Sequence, residues 1–336
     1  MTIHKLPLAA ALSVLAAQAA FATEYPLTIE NCGQTVTFDQ APERVVTVGQ
    51  STTEMLYALG LGDRVKGTAV WFNEVKGDFA EINAGIERLA DNHPGFEAVA
   101  ALRPDLVTTQ FEVHVGPQGV VGTREQFNDL GINVYAMPAD CVGKDNLTGG
   151  DGTRTSAFRI ETVYRAVEEL SRIFDVEDRG AALEADLRAR VEAAGARAKD
   201  VGLGGKTAVV WFSSAEMELD PFVAGQNGIA GYVLKTLGIE NVVQTDEEWP
   251  SVGWEAIAHA DPDMIVIARM DRRRYAADDF EVKLDYLRTD PVTREMQAVK
   301  NDNIIIVDAH AIHAGFRIPD SIETILDAAE TKGIAQ

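Results

Sequence analysis

One thirteen-residue segment occurs twice in this chain, as GFEAVAALRPDLV at 95–107 and as GWEAIAHADPDMI at 253–265, the two copies beginning 158 residues apart. Six positions are identical without gaps (Gly, Glu, Ala, Ala, Pro and Asp), and most of the others exchange one apolar residue for another. Each copy reads as a short helix stopped by proline, a turn carrying aspartate, and the start of a strand. A Gly-Gln pair followed by a helix ending in Leu-Gly also occurs in each half, at Gly49 to Gly60 and at Gly225 to Gly238. A chain of 336 residues built this way is expected to form two similar units, each with its own core.

The local patterns agree. Leu27 to Phe38 reads as two short strands around Asn31-Cys32-Gly33, a hairpin signal. Arg44 to Val48 is a β-branched run suited to a buried parallel strand, and Ser51-Thr52-Thr53-Glu54 has the spacing of a capping box opening a helix from Thr52 to Leu59. Further strands are expected at Leu106–Thr109 and Ile132–Tyr135, then at Thr207–Phe212, Met264–Ile267 and Ile304–Val307. Strands alternating with helices imply parallel sheets covered on both faces. Between the halves, Ser156 to about Ala198 lacks proline and is rich in Ala, Leu, Glu and Arg. Asp175 to Asp178 divides this stretch into two helices, the second of them (near Asp178 to Lys199) roughly 30 Å long, enough to cross between lobes. The expected fold class is α/β, with two Rossmann-like β/α lobes containing parallel sheets and joined by a long helix. The expected divisions are 1–22 signal peptide, 23–160 first lobe with its leading hairpin, 161–205 helical connection and 206–336 second lobe.

His4 and Lys5 precede an apolar run from Leu6 to Ala20, and Ala20-Phe21-Ala22 has the small residues of a signal-peptidase site. Cleavage after Ala22 and a soluble, exported mature protein are expected; no cysteine stands at that site to carry a lipid. A net charge of −22 without a basic stripe argues against nucleic-acid binding. Cys32 and Cys141 leave two readings, a disulfide favoured by export or two buried thiols.

Nothing nominates a catalyst. There is no G-x-S-x-G, no G-x-x-x-x-G-K-[ST] and no H-E-x-x-H, and Gly202 to Lys206 reads as a turn ahead of a strand. His93, His114, His259, His310 and His313 read as exposed loop residues, and no metal site is assigned. A cleft beyond the carboxyl ends of the strands is the expected binding site. Gln50, Trp71, Gln110 and Trp211 follow strands there, as do Phe72, Phe111, Glu112, Phe212 and Arg269, and Trp249 lies in a loop. The tryptophans suit a large, partly planar ligand, with core packing as the competing reading. The run Arg269 to Tyr275 stands out in an acidic chain, and Arg269, Arg272 and Arg273 are candidate contacts for an anionic ligand. A solvated surface run is the alternative.

In their order and spacing these pieces resemble the periplasmic binding proteins of iron-siderophore, haem and vitamin B12 ABC importers. The resemblance rests on Arg44-Val45-Val46, Thr53 to Gly60, Glu97 with Leu102 to Val107, and Val223-Ala224-Gly225. It continues through Trp249-Pro250 with Glu255 and closes on Ala298 to Ile304, so it covers nearly the whole mature chain. It implies a rigid interlobe helix, no cofactor and no catalytic step, and a monomer in the periplasm. It also implies an ABC permease dimer in the inner membrane as partner, docked through one glutamate per lobe, Glu97 and Glu255. The implied ligand is a ferric siderophore or a related anionic chelate. Trp249 matches a ligand-contacting tryptophan of B12-binding relatives, whereas Gln110 stands where they have another tryptophan. The alternatives are an exported α/β enzyme using Glu112 or Asp91, and a carrier of zinc or manganese ions.

Overall fold

The computed structural model describes residues 22–148, 152–272 and 274–334. The signal segment therefore lies almost wholly outside the described residues, and Arg273 lies outside them too.

A hairpin of β1 (Leu27–Asn31) and β2 (Gln34–Phe38) leads the first lobe. Cys32 and Gly33 form its two-residue turn, both at positive φ (51° and 76°), the backbone that matches strand twist in a tight hairpin. The sheet behind it comprises β3 (Val45–Val48), β4 (Val65–Ala69), β5 (Glu87–Ala90), β6 (Leu106–Thr109) and β7 (Asn133–Ala136), all parallel, in the order β5-β4-β3-β6-β7. Every residue of β3 and β6 is buried, which is why they read as short uninterrupted runs of Val, Leu and Thr. Strand order reverses between β3 and β6, so Gln50 and Gln110, just past their ends, sit at the topological switch point.

The helix after β3 spans Gln50–Ala58, two residues earlier than expected, and no side chain caps it. Gly49, at φ 137°, turns the chain directly into the helix; a Cβ there would lie 2.2 Å from that of Gln110. The expected capping box is therefore absent. Ser51 and Thr52 are helical, and Glu54 is taken by an arginine of the second lobe, described below.

A small hairpin, β8 (Lys144–Asp145) and β9 (Thr153–Arg154), follows the first sheet in the chain but bonds to the other lobe. Arg154 N–H donates to the Asp246 carbonyl at 2.8 Å, and Glu248 N–H to that of Gly152 at 3.1 Å. A disulfide between Cys32 and Cys141 ties the base of this strap to the leading hairpin.

In the second lobe, β10 (Thr207–Ser213), β13 (Met264–Arg269) and β14 (Ile304–Asp308) run parallel in that spatial order. The outer edge of β10 carries β11 (Phe222–Val223), antiparallel, near its end and β12 (Glu240–Asn241), parallel, at its start.

The repeated segments occupy equivalent places. Helices Phe96–Ala101 and Trp254–Ala260 begin at Gly95 and Gly253 with similar backbone (φ −72°, ψ 150° and φ −62°, ψ 145°), and each turns through a left-handed residue, Arg103 or Asp261, before β6 or β13. The shared aspartate then reaches the neighbouring central strand. Asp105 accepts from the backbone N–H of Glu43 (2.7 Å) and Arg44 (3.0 Å) at the front of β3. Asp263 accepts from the N–H (2.8 Å) and hydroxyl (3.0 Å) of Thr207 at the front of β10.

Two helices, Glu161–Ile173 and Glu177–Val201, connect the lobes, with Asp175 at φ 55° between them. At 1.5 Å per residue the second is about 37 Å long. Its buried positions, Gly180, Leu187, Ala194 and Ala198, lie on one face. Near its start Arg179 donates to the carbonyls of Leu59 and Gly60 in the first lobe. Further along, Arg190 binds Asp320 and Glu323 on the last helix of the second lobe, Ile318–Lys332. One helix thus grips both lobes.

Candidate functional site

The carboxyl ends of the two sheets face one another across a closed cleft. Two buried polar networks span it. In one, Arg317 of the second lobe holds Glu54 of the first, with Nε to Oε2 at 2.6 Å, while its Nη1 binds Asp308 at 2.9 Å. Asn73, in the loop after β4, donates to Asp308 and to the Arg269 carbonyl, and accepts from Asp271 N–H at 2.8 Å. In the other, the Arg154 guanidinium is paired with Glu248 and donates to the Ala139 carbonyl at 3.0 Å, beside a Lys144–Asp140 pair at 2.8 Å. Burial pushes the Glu248 carboxyl up, but Arg154 and Lys144 more than offset it and hold the group below its ordinary range.

Between these networks lies a box of rings. Phe72 and Phe111 come from the first lobe, Phe212 and Trp249 from the second, and His313 sits among them. Trp249 stacks on Phe212 with centroids 4.6 Å apart, and Phe72 on His313 at 4.9 Å. The rings leave a cavity of about 10 Å3, bounded by Gln110, Phe111, Glu248, Trp249 and His313 among others, which is room for about one water. Nε2 of His313, Nε2 of Gln110 and both ring nitrogens of His310 are buried with no hydrogen-bond partner. Burial pushes the His313 imidazole down to about 4, so the ring is neutral at pH 7.

The candidates separate sharply. Gln110 and Trp249 line the cavity. Gln50 is fully engaged: its amide donates to Glu54 and the Glu74 carbonyl, and its oxygen accepts from the N–H groups of Phe72 and Asn73. It positions the loop that carries Phe72. Trp71 and Trp211 are not cleft residues. Trp71 is buried, donating to Thr68 with Arg88 over its ring, and Trp211 packs on Trp254 in the second core. In both cases the next residue, Phe72 or Phe212, takes the cleft-facing direction: on β10 this is the alternation of an extended strand, whereas Trp71 and Phe72 lie in the bend past β4, beyond Val70 at φ 60°.

Arg269 is exposed, with its backbone rather than its guanidinium on the interlobe contact. Arg272 reaches across to Asn92 and lies over the Phe72 ring at 4.7 Å, so it bridges the lobes. Arg273 is outside the described residues. The buried cations at the cavity are instead Lys144 and Arg154, in a strap whose sequence carries no strand-end signal. The histidine expectation also needs correction. His93 and His259 are exposed, but His114, His310 and His313 are buried. His114 shares a 3.0 Å hydrogen bond with His93, and burial pushes it down to about 3. Among the described residues no three His, Cys, Asp or Glu side chains converge as a metal-ion site. Asp91 is exposed and pairs with Arg88 at 3.1 Å. Glu112 is half-buried, its carboxyl raised by burial and by Asp140, and it does not line the cavity.

Glu97 and Glu255 are exposed at the second position of the two equivalent helices, one on each lobe. No described helix is long and apolar enough to cross a membrane.

Comparison with known proteins gives the same architecture. The chain is 24% identical over 309 residues to an uncharacterized ABC transporter substrate-binding lipoprotein of Bacillus subtilis (strain 168), covering 90% of this chain and 85% of that one. A cobalamin-binding protein of Halobacterium salinarum is 24% identical over 298 residues, covering 87% of this chain and 70% of its own. The crystal structure of an ABC-type Fe3+-hydroxamate transport system from Saccharomonospora viridis superposes with a TM-score of 0.71 at 28% identity, over 91% of this chain and 99% of that one. The sequence model of the periplasmic binding protein family matches residues 45–311. The chain belongs to the periplasmic binding protein family, whose members bind small ligands and work with the membrane permeases of ABC importers.

Proposed function

We propose that the protein is exported to the periplasm, captures an anionic metal chelate in the interlobe cleft as a monomer, and delivers it to an ABC permease in the inner membrane. The observation that carries this reading is the aromatic box at the switch-point end of two parallel sheets, with buried cations beside it and partnerless polar atoms within it. Rings suit the apolar body of a large ligand, and Lys144 and Arg154 suit its acidic groups. Similarity to a ferric-hydroxamate system and to a cobalamin-binding protein supports the same chemistry. Glu97 and Glu255 are the docking points, one carboxylate per lobe, so that the permease reads both lobes together. The two lobes are taken to divide at the helical connection 161–205.

The test is native mass spectrometry of the protein purified from its own host. One metal chelate bound per chain and released unchanged is the expected result. Conversion of the bound compound would instead indicate an enzyme. A bare ion whose removal by a chelator lowers the melting temperature would indicate an ion carrier.

A further inference from the structure

The outer edge of the first lobe carries a groove of about 360 Å3, within the size range of small-molecule sites and sharing no residue with the interlobe cavity. It runs between β2 of the leading hairpin and β7, the edge strand of the first sheet. Asparagine side chains close both ends. Asn31 donates to the Ala136 carbonyl and accepts from the Ala136 N–H, both at 2.8 Å, and Asn133 donates to the Thr37 carbonyl at 3.0 Å. The two strands belong to separate sheets, so between these bridges their facing edges do not pair with each other.

Register decides what lines the groove. Asn133 and Met137 direct their N–H groups at β6, so the intervening Val134 turns its N–H outward. In the hairpin Asn31 and Gln34 flank the turn, which leaves the N–H and carbonyl of Thr35 facing away from β1. The Thr35 hydroxyl donates to Glu30 at 2.6 Å and that of Thr37 meets Thr28 at 3.0 Å, so these residues offer the groove their backbone. Arg124, the first residue of the helix Arg124–Asn128, completes the wall. Two of its five N–H groups donate to neutral oxygens, the Val134 carbonyl (3.0 Å) and Asn31 Oδ1 (3.1 Å). Among the described residues no carboxylate stands within 4.0 Å of it; Glu112 acts on it from farther away, and burial pushes the guanidinium below its ordinary value. In a chain of net charge −22, this partly buried cation is left without a counter-charge beside two outward N–H donors.

We propose that this groove binds a small hydroxylated monocarboxylate, the class of the sugar acids. Its carboxylate sits on the free N–H groups of Arg124, with the Val134 and Thr35 N–H groups beside it. Its hydroxyls meet the side-chain amides of Gln34, Asn128 and Asn133, which can both donate and accept. A single cation in an acidic chain selects a single negative charge. The site lies apart from the interlobe cleft and goes beyond the ligand proposed there.

Isothermal titration calorimetry of the full mature chain at low ionic strength tests this, with D-gluconate, D-glucose and citrate as probes. D-gluconate is expected to bind once per chain. D-glucose lacks the charge, and citrate brings three charges to one cation; each should bind at least about tenfold more weakly. Arg124→Gln should weaken D-gluconate by about tenfold or more. Arg124 also ties its helix to β7, so a second variant separates binding from folding. Asn128→Glu keeps Arg124, sets a carboxylate one helical turn away on the same groove, and should lose D-gluconate while melting like wild type. No binding of D-gluconate by wild type would overturn the site. So would unchanged binding in either variant, or D-glucose or citrate binding as tightly as D-gluconate. None of these outcomes bears on the interlobe ligand, which is read from the co-purified compound.

Discussion

Arg317 holds Glu54 across the lobes with two nitrogens of one guanidinium, while its third nitrogen binds Asp308 at 2.9 Å. Glu54 is fully buried, and burial raises its carboxyl more than Arg317, Gln50 and the Lys76 N–H lower it. The pair therefore sits near the balance between desolvation and attraction, where losing one partner costs more than losing both. Arg317→Met is expected to lower stability by about 3–5 kcal/mol by leaving a buried carboxylate unpaired. Glu54→Gln in that background should recover part of the loss. Urea unfolding of Arg317→Met, of Glu54→Gln alone and of the double variant measures this, and additive losses would refute it.

Glu97 and Glu255 lie on equivalent exposed turns, so each should serve the permease without touching the cleft. Glu97→Arg combined with Glu255→Arg is expected to abolish uptake in reconstituted vesicles with ligand affinity unchanged. Either single change should leave partial uptake, because one lobe still docks. Normal uptake by the double variant would remove the docking assignment.

The repeat's aspartates make the same contact in each lobe, tying the start of a central strand to the turn before its neighbour. Hydrogen bonds to a charged acceptor contribute about 1.5–3 kcal/mol each. Asp105→Ala and Asp263→Ala should each cost about 1–3 kcal/mol, with the Asn variants costing less because one acceptor oxygen remains. Comparable losses in denaturant midpoints would show that the repeat conserves a packing job; a large loss at only one site would show that it does not.

Much of this fold was legible because it rests on local signals. β3, β6 and β13 are short buried runs, Pro104-Asp105 and Pro262-Asp263 stop helices, and Cys32-Gly33 forms a tight turn. The site was less legible, for two physical reasons. Position after a strand does not say which of two neighbouring rings faces the cleft: Trp71 and Trp211 turn into the cores, and Phe72 and Phe212 beside them meet across the cleft. The cations come from a strap whose pairing is with the other lobe, a contact between residues far apart in sequence. A loop position suggests exposure for His313, but here the loop is covered by the opposite lobe. The capping-box spacing at Ser51–Glu54 was a true pattern overridden by a tertiary pair, Glu54 with Arg317.

The disulfide between Cys32 and Cys141 closes a sequence separation of 109 residues. On a chain-entropy account, a loop of that size restricts the unfolded state by about 4–5 kcal/mol. Cys32→Ser with Cys141→Ser should lower stability by up to about that amount. Reduction of wild type with dithiothreitol should match the double variant in calorimetry. Unchanged melting on reduction would contradict it.

The Arg154–Glu248 pair predicts a pH dependence of defined sign. The two side chains are almost wholly buried, and the arginine with Lys144 holds the Glu248 carboxyl below its ordinary value of 4.5. In the unfolded chain the group protonates first as pH falls, so the folded state gains stability from the ionised form. That contribution is complete above 4.5 and is lost as pH falls through the lower folded value. Glu248→Gln removes this titration and leaves the Arg154 guanidinium buried without its counter-charge, at about 3–5 kcal/mol near neutral pH. Its stability curve should therefore lie well below wild type at pH 7 and converge towards it in acid. Urea midpoints measured from about pH 3 to about pH 7 give both curves. Curves that stay parallel throughout would mean that the Glu248 carboxyl titrates alike in the folded and unfolded chain and gains nothing from Arg154, and the strap would then be held by its backbone bonds to Asp246 and Glu248.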